Sequence, residues 1–307
     1  MRHTYLKLPS NMKLINQSFK FINQTDFSLV GIKKHIERCA RVSYKSEDKI
    51  TDTSYEKFVS MLKSRKHDRP LEFGTVHLKM YISDFHKLRD TLCINNMWNY
   101  QWIKYHYVGK LTYVTTNYRY YLAIIKVFPS AENDFDPQDD ELYPKRYTVH
   151  FITSRGVMDE FRTHVGLSHL AESTRYCNYD KDRFGSEIAC VIPHYCSDLT
   201  EGNSYDLSIC KYNLTQSENL SEKSAKWVKS MCQAEQDYMD LINDGCIAQE
   251  ARDILPLSVK SELISCGFED AWSNFFYRRC AKDAHPMARE IAIPLQEKFK
   301  ELNYINQ

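Results

Sequence analysis

The chain contains 307 residues, of which 43% are apolar and 26% are charged, with nine glycines and nine prolines. This composition indicates a folded globular protein and excludes an intrinsically disordered chain. Its 41 Lys and Arg residues balance 40 Asp and Glu residues, which leaves a formal charge of +1. Because the net charge is so small, we expect neither a nucleic-acid polymer nor a membrane as a partner, and any anion site must be local.

The sequence also bears on location and on metal binding. The longest apolar stretch, residues 120–128, contains Lys126 and is shorter than the roughly 20 residues that span a membrane. Because the N-terminus lacks an apolar segment followed by a cleavage site, we expect a cytoplasmic protein. The ten cysteines form no C-x-x-C pair, which predicts reduced thiols and no metal site.

Apolar periodicity predicts two helices and two strands in the first half of the chain. Helical spacing over residues 26–38 and 54–64 predicts two helices. Alternation over residues 76–82, and again over residues 147–151, predicts two strands. We expect these strands to be neighbours in one antiparallel sheet.

The segment between those two strands has a pattern of its own. Residues 84–95 are predicted to form a helix, and residues 110–128, which are rich in β-branched and aromatic side chains, one or two β-rich segments. An acidic loop over residues 133–143 follows. We interpret residues 84–145 as an insertion that elaborates the sheet.

From Ser221 onward the chain is predicted to be helical throughout. Ser221 is a suitable N-cap and Gly245 a suitable stop, and a short helix over residues 247–255 ends at a proline. Two amphipathic helices follow, around residues 268–276 and 291–302. With no internal repeat and no Pro/Gly-rich linker, residues 1–307 are predicted to form a single α+β domain, an antiparallel sheet flanked by helices.

The densest polar cluster spans residues 155–183. One interpretation is a solvated surface helix with charge pairs one turn apart. The alternative rests on residues 172–176, where hydroxyl groups and an arginine follow one another in a composition suited to binding a phosphate. Gly166 precedes this stretch and would weaken a continuous helix.

Two further arginine positions suggest anion sites. Arg252 precedes a Leu-Pro pair and either caps helix carbonyls or binds an anion. Arg278 and Arg279 are adjacent on a predicted helix, so one of them is expected to face inward, where it needs an anionic or carbonyl partner. Because no known nucleophile motif or phosphate-binding glycine loop is present, the pattern favours an enzyme whose cofactor supplies the chemistry.

Taken in order, these motifs resemble the flavin-dependent thymidylate synthase family, in a branch with a long middle insertion. The resemblance covers most of the chain and rests on short elements that are each weak alone but occur in the family's order. They are Ala40-Arg41-Val42-Ser43, His67-x-x-Pro70-x-Glu72, His164 followed by Ser173 and Arg175-Tyr176, Arg252-x-x-Leu255-Pro256, and Asn274 with Arg279 and His285.

The resemblance implies a homotetramer whose FAD and dUMP sites are built from several subunits. The candidate flavin-binding residues are Ser43, His67, Arg69, Glu72, Arg162, His164 and Asn274. The candidate substrate-binding residues are Glu160, Glu172, Ser173, Thr174, Arg175, Arg252 and Arg279, and Arg279 is also the candidate catalytic residue, gripping the uracil ring. Ser173 is assigned to the phosphate because no clear general base adjoins it.

The implied reaction is the reductive methylation of dUMP to dTMP. NADPH and methylenetetrahydrofolate are the implied co-substrates, and FAD carries the hydride. A guanidinium at O2 and N3 would stabilise the negative charge that makes C5 of uracil nucleophilic.

The family's signature is altered in this chain, because Thr163 and Val165 stand where it has two arginines. Arg162 lies one residue early and Glu172 one residue late, so a shift in register could restore both charges to the site. We therefore keep three hypotheses: a working synthase, a pyrimidine nucleotide C5-hydroxymethylase, and a non-catalytic nucleotide-binding homologue. A single-stranded RNA binder using Tyr and Arg stacking is disfavoured by the neutral net charge.

Overall fold

The central sheet of the molecule is wholly antiparallel. A computed structural model describes residues 12–173, 188–205 and 219–305. Four strands pair in the order β2 (Ser18–Phe21), β6 (Arg146–Ser154), β10 (Lys260–Phe268) and β7 (Ser168–Ala171). β6 and β10 pair along their whole length, and β7 covers the other edge of β10.

Two smaller sheets accompany it. One consists of β3 (Thr75–Tyr81), β5 (Leu111–Asn117) and β4 (Ile103–Val108), all antiparallel. In the other, β1 (Met12–Ile15) pairs in parallel with β8 (Ala189–Val191) and antiparallel with β9 (Ser204–Tyr205).

The predicted pairing of the strands at residues 76–82 and 147–151 is wrong. β3 pairs with β5 of the insertion, while β6 lies in the central sheet between β2 and β10. Alternation predicts a strand and its buried face, but it contains no information about which strand becomes the neighbour.

The three helices predicted in the first half of the chain are present. They are α1 (Leu29–Tyr44), α2 (Ser54–Ser64) and α3 (Ile82–Ile94). α1 begins later than predicted because the side chain of Ser28 caps it by accepting from the Gly31 backbone N–H. It continues through the Ala40–Ser43 motif, so Ser43 lies in its last turn.

The second part of the predicted β-rich segment is a helix. β5 ends at Asn117, whose side chain accepts from the Tyr120 N–H and so caps α4 (Tyr118–Val127). Aromatic and β-branched residues favour strands, yet here Tyr121 and Ile124 bury one helical face. The local composition was outweighed by the cap and by burial in the core.

The helices of the second half are α5 (Arg155–Phe161), α6 (Glu222–Asn243), α7 (Ala248–Ala251), α8 (Glu269–Arg279) and α9 (Pro286–Glu301). Ser221 caps α6 through the Ser224 N–H, as predicted, and Gly245 follows its end with φ of +99°. The prediction that the chain is helical throughout from Ser221 onward is wrong, because β10 lies between α7 and α8. β10 is buried on both faces and therefore shows no alternation that would mark it as a strand.

Helices cover both faces of the central sheet. On one face, α8 and α9 pack aromatic side chains such as Trp272 and Phe299 against Val149 and Leu263. On the other, α1 and the insertion share a core with Ile264, Cys266 and Leu170. The fold is therefore the predicted α+β class, an antiparallel sheet flanked by helices, while the single-domain organisation stays a prediction. Among the described residues, no helix combines the length and apolarity needed to cross a membrane.

Trp272 tests this arrangement. It is fully buried, and its indole N–H donates to the Tyr147 carbonyl at 3.1 Å. Replacing it with alanine should lower the free energy of unfolding by about 3–5 kcal/mol, because the cavity left behind cannot fully collapse. Tyr277→Ala on the same helix, where the side chain is 80% exposed, should change it by less than about 0.5 kcal/mol. Urea unfolding followed by circular dichroism measures both, and equal losses would contradict this packing.

Candidate active site

The guanidinium of Arg279 is the centre of one polar group. Arg279 is the last residue of α8, and its side chain is only 18% exposed. Its Nε donates to Nε2 of His164 at 2.7 Å, and its Nη1 donates to the Glu160 carboxylate at 2.6 Å. Its Nη2 donates to the Glu160 carbonyl at 2.6 Å and to the Thr163 hydroxyl at 3.3 Å. The predicted inward arginine is therefore Arg279, whereas Arg278 is exposed.

The charge state of His164 follows from this geometry. An arginine can only donate hydrogen bonds, so Nε2 of His164 must carry a lone pair and the ring must be neutral. Burial, and after it the positive charge of Arg279, lower the pKa of His164 to about 4. Because this imidazole is neutral, Glu160 is the carboxylate that balances the Arg279 guanidinium within the described part of the chain.

His169 on β7 links the Arg279 group to the central sheet through hydrogen bonds to His164 and Ser265. Its Nε2 donates to the His164 carbonyl at 3.2 Å, and its Nδ1 accepts from the Ser265 hydroxyl at 2.9 Å. Burial lowers the pKa of His169 to about 4, although the bond to the carbonyl opposes that shift. The positive charges of Arg69 and Arg162 add to the lowering.

Glu72 joins the same end of β7. It lies in a 3₁₀ helix, Arg69–Phe73, and is 8% exposed. Its Oε2 accepts from the Ser168 hydroxyl at 2.7 Å, and its Oε1 accepts from Nη1 of Arg119 at 2.6 Å. Because Ser168 and His169 are neighbours on β7, the beginning of this strand holds both Glu72 and the Arg279 group.

Gly166 makes the turn into β7 possible. It has φ of +94°, a conformation that favours glycine, and a Cβ there would lie 3.1 Å from the Cβ of Ala271 on α8. The glycine that was predicted to weaken a helix thus lies in the turn between α5 and β7. It also allows α8 to approach the turn closely.

A second charged group lies at the other end of β7. It comprises two carboxylates, two ammonium groups and one imidazole, from Glu172, Glu262, Lys45, Lys260 and His150. Lys45 bonds to Glu262, Lys260 lies 3.2 Å from Glu172, and Nε2 of His150 lies 2.7 Å from Glu262.

Within this group, the surrounding charges keep Glu262 and Lys260 ionised. Burial alone would raise the pKa of Glu262, but the bond from His150 and the charges of Lys260 and Lys45 keep it well below its usual range. Burial alone would lower the pKa of Lys260, and the carboxylates of Glu172 and Glu262 raise it instead. Ser173 directly follows Glu172, so one candidate phosphate ligand adjoins this charged group.

Two candidate flavin residues, Ser43 on α1 and His67 after α2, lie near each other in the sequence of elements but differ in exposure. The hydroxyl oxygen of Ser43 is buried and has no hydrogen-bond partner among the described residues. Such an atom is costly unless something else bonds to it, which fits a ligand at this position. His67 is exposed, with Nδ1 3.4 Å from the Tyr44 hydroxyl.

The other predicted residues are more scattered. Asn274 and Arg69 are exposed, and Arg162 lies at the surface, 3.4 Å from Asp159. Arg252 is half-buried at the start of a 3₁₀ helix, with Nε 3.9 Å from Asp253. Thr174 and Arg175 lie outside the described residues.

Sequence reasoning missed several charged residues that the structure adds. Arg119 stands just inside α4, before the apolar stretch that was predicted to be β-rich, and Lys45 lies two residues after the Ala40–Ser43 motif. Lys260, Glu262 and His150 lie on central strands, where no local pattern marks them. A sequence signal was available for Lys45 alone, because it lies close to a recognised motif.

Comparison with known proteins identifies the family of the chain. The sequence profile of the thymidylate synthase complementing protein family matches residues 145–303, just over half of the chain. The chain therefore belongs to this family of flavin-type enzymes that modify dUMP. The matched residues 145–303 include both ends of β7 and the side chains of His164, Arg252 and Arg279. The matched range begins after Ser43, His67 and Glu72.

Other comparisons add less. No curated protein matches the chain. Among solved structures, the chain is similar to the crystal structure of a UMP/dUMP methylase, PolB from Streptomyces cacaoi, bound with 5-Br UMP. The identity is 13%, the match covers 96% of this chain and 92% of that one, and the TM-score is 0.43.

The neutral state of His164 can be measured directly. In the folded protein its imidazole should titrate with a pKa of about 4, compared with 6.5 for a free histidine. Because the unfolded chain binds this proton first, the contribution to stability is present above about pH 6.5 and is lost as the pH falls towards 4. NMR of the ring protons gives the midpoint, with His164→Asn assigning the signal. A midpoint near 6.5 would contradict the bond from Arg279.

Proposed function

We propose that the protein catalyses the reductive methylation of dUMP to dTMP. The observation that carries this proposal is the inward guanidinium of Arg279, fixed by Glu160 and His164 within the region that matches the family profile. Methylenetetrahydrofolate would supply the carbon and NADPH the reducing equivalents. We assign the pyrimidine base to the Arg279 end of β7.

Arg279 can act there as an electrostatic catalyst. Four of its hydrogen bonds go to His164, Glu160 and Thr163, and an arginine has five N–H donors. One N–H therefore remains for the ring, while the whole guanidinium charge acts on nearby atoms. A positive charge near O2 and N3 favours electron density at C5, the atom that must attack the one-carbon unit.

The flavin belongs to the residues that precede the insertion. Ser43, His67 and Glu72 would hold FAD together with His164 and Asn274, and the bound flavin would supply hydride transfer. The unpartnered hydroxyl of Ser43 and the exposed ring of His67 support this assignment. Arg69 and Arg162 are exposed, and their positive charges lower the pKa of His169. Both are therefore available to pair with an anionic part of the cofactor.

The phosphate of dUMP is assigned to the opposite end of β7. Ser173, with Thr174 and Arg175 outside the described residues, forms the proposed phosphate loop, and Arg252 the second ligand. The strand has four residues, so about 13 Å of backbone separates the two ends within one chain. We propose that the complete site forms between subunits of a homotetramer, where the base end of one chain meets the phosphate end of another.

Replacing Arg279 with alanine should lower kcat by about a hundredfold or more, because removing one preorganised donor at a developing charge typically costs that much. Binding of FAD should persist. The matched control is Arg278→Ala, which removes the neighbouring exposed arginine and should leave kcat within about twofold. The assay measures tritium released from C5 of dUMP in the presence of methylenetetrahydrofolate and NADPH.

Two results would change the proposal. Equal rates in wild type and the Arg279 variant would remove Arg279 from the mechanism. Mass spectrometry of the nucleotide product distinguishes a methyl from a hydroxymethyl group, so a product heavier by one oxygen would identify a C5-hydroxymethylase. No tritium release after reconstitution with FAD would favour a non-catalytic nucleotide-binding protein.

A further inference from the structure

A cavity of about 460 Å³ lies beside Glu72, and apart from Glu72 its walls come from residues 96–123. We call it the Trp102 cavity. Its described lining includes the rings of Trp98, Trp102 and Tyr120 and the guanidinium of Arg119. A cavity of this size with aromatic walls and a few convergent polar groups is typical of a small-molecule site.

The aromatic walls are fixed by hydrogen bonds of their own. Trp102 and Tyr120 pack edge to face, with ring centroids 5.6 Å apart. The Tyr120 hydroxyl donates to the Met97 carbonyl, and the Thr116 hydroxyl donates to the Trp102 carbonyl at 2.7 Å. These contacts hold the rings in place before any ligand arrives, so a planar ring can stack without paying to order them.

One ion pair supplies the polar end of the cavity. Nη1 of Arg119 lies 2.6 Å from Glu72, and its guanidinium carbon lies 6.0 Å from the centroid of Trp102. The Arg119 side chain is 44% exposed, whereas that of Glu72 is 10% exposed. The cavity therefore offers a buried acceptor for ring N–H groups and an accessible cation for an anionic tail.

We propose that the Trp102 cavity binds the folate co-substrate, with its amino-substituted bicyclic ring between the aromatic walls and its carboxylates near Arg119. This inference rests on the proposed function, which requires a folate. Arg119 is the one cationic side chain among the described lining residues. That single charge suits a carboxylate tail better than the three phosphates of NADPH.

The position of Glu72 connects this cavity to the rest of the site. Its other carboxylate oxygen accepts from Ser168 at 2.7 Å, and the next residue, His169, bonds to the His164 carbonyl. A ring held against Glu72 is thus one side chain away from the group that contains Arg279. The insertion would place the carbon donor beside the pyrimidine site.

Two variants test the cavity in different ways. Ala123→Phe fills it from α4 and leaves both residues of the ion pair in place, and Arg119→Gln removes the cation. Calorimetric titration of the FAD-loaded protein with tetrahydrofolate should give a Kd raised by about tenfold or more in each variant. The Kd for dUMP should stay within about twofold of wild type. Arg89→Gln is the control, because Arg89 also pairs with an acid, Asp90 at 3.5 Å, outside the cavity lining.

The proposal is overturned if both variants keep wild-type thermal stability and bind tetrahydrofolate with an unchanged Kd. A change in the Kd for NADPH would not rescue it. The outcome is separable from the proposed function. If tetrahydrofolate binding weakens in both variants but wild type releases no tritium from dUMP, the folate cavity stands and the synthase activity fails. If wild type forms dTMP and both variants bind tetrahydrofolate normally, the activity stands and the cavity assignment fails.

Discussion

One guanidinium ties the end of α8 to the segment that precedes β7. Arg279 donates to Glu160 and His164 while Gly166 lets the two segments approach closely. An unpaired guanidinium at this depth would be costly, so the carboxylate, the neutral imidazole and the turn must be in place together. Because α8 also carries Trp272 into the core, the position of the Arg279 guanidinium depends on the same packing that stabilises the sheet.

The central sheet divides the charged residues into two groups. At the beginning of β7 stand Arg279 and Glu72, each held by a short hydrogen bond. Beyond its end stands Glu172, with the ammonium groups of Lys260 and Lys45 at 3.2 and 3.6 Å. In the proposed homotetramer, the base end of one chain would meet the phosphate end of another, so that one nucleotide contacts both groups.

Much of the local structure could be predicted from the sequence. Ser221 marks the start of α6, and the adjacent arginines of α8 required that one face inward. What could not be predicted depends on partners distant in the sequence. Neither the pairing of β3 with β5 nor the burial of β10 on both faces leaves a local pattern. The replacement of the family's arginines by Thr163 and Val165 did not indicate that Thr163 accepts a bond from Arg279.

Mixed tetramers give the most direct test of a site shared between chains. Arg279→Ala and Arg252→Ala should each be inactive alone, since each removes one end of the site. When the two variants are unfolded together and refolded as mixed oligomers, about one quarter of wild-type activity should return, because random pairing unites an intact base end with an intact phosphate end at that frequency. Mixed oligomers that stay as inactive as the separate variants would contradict the account.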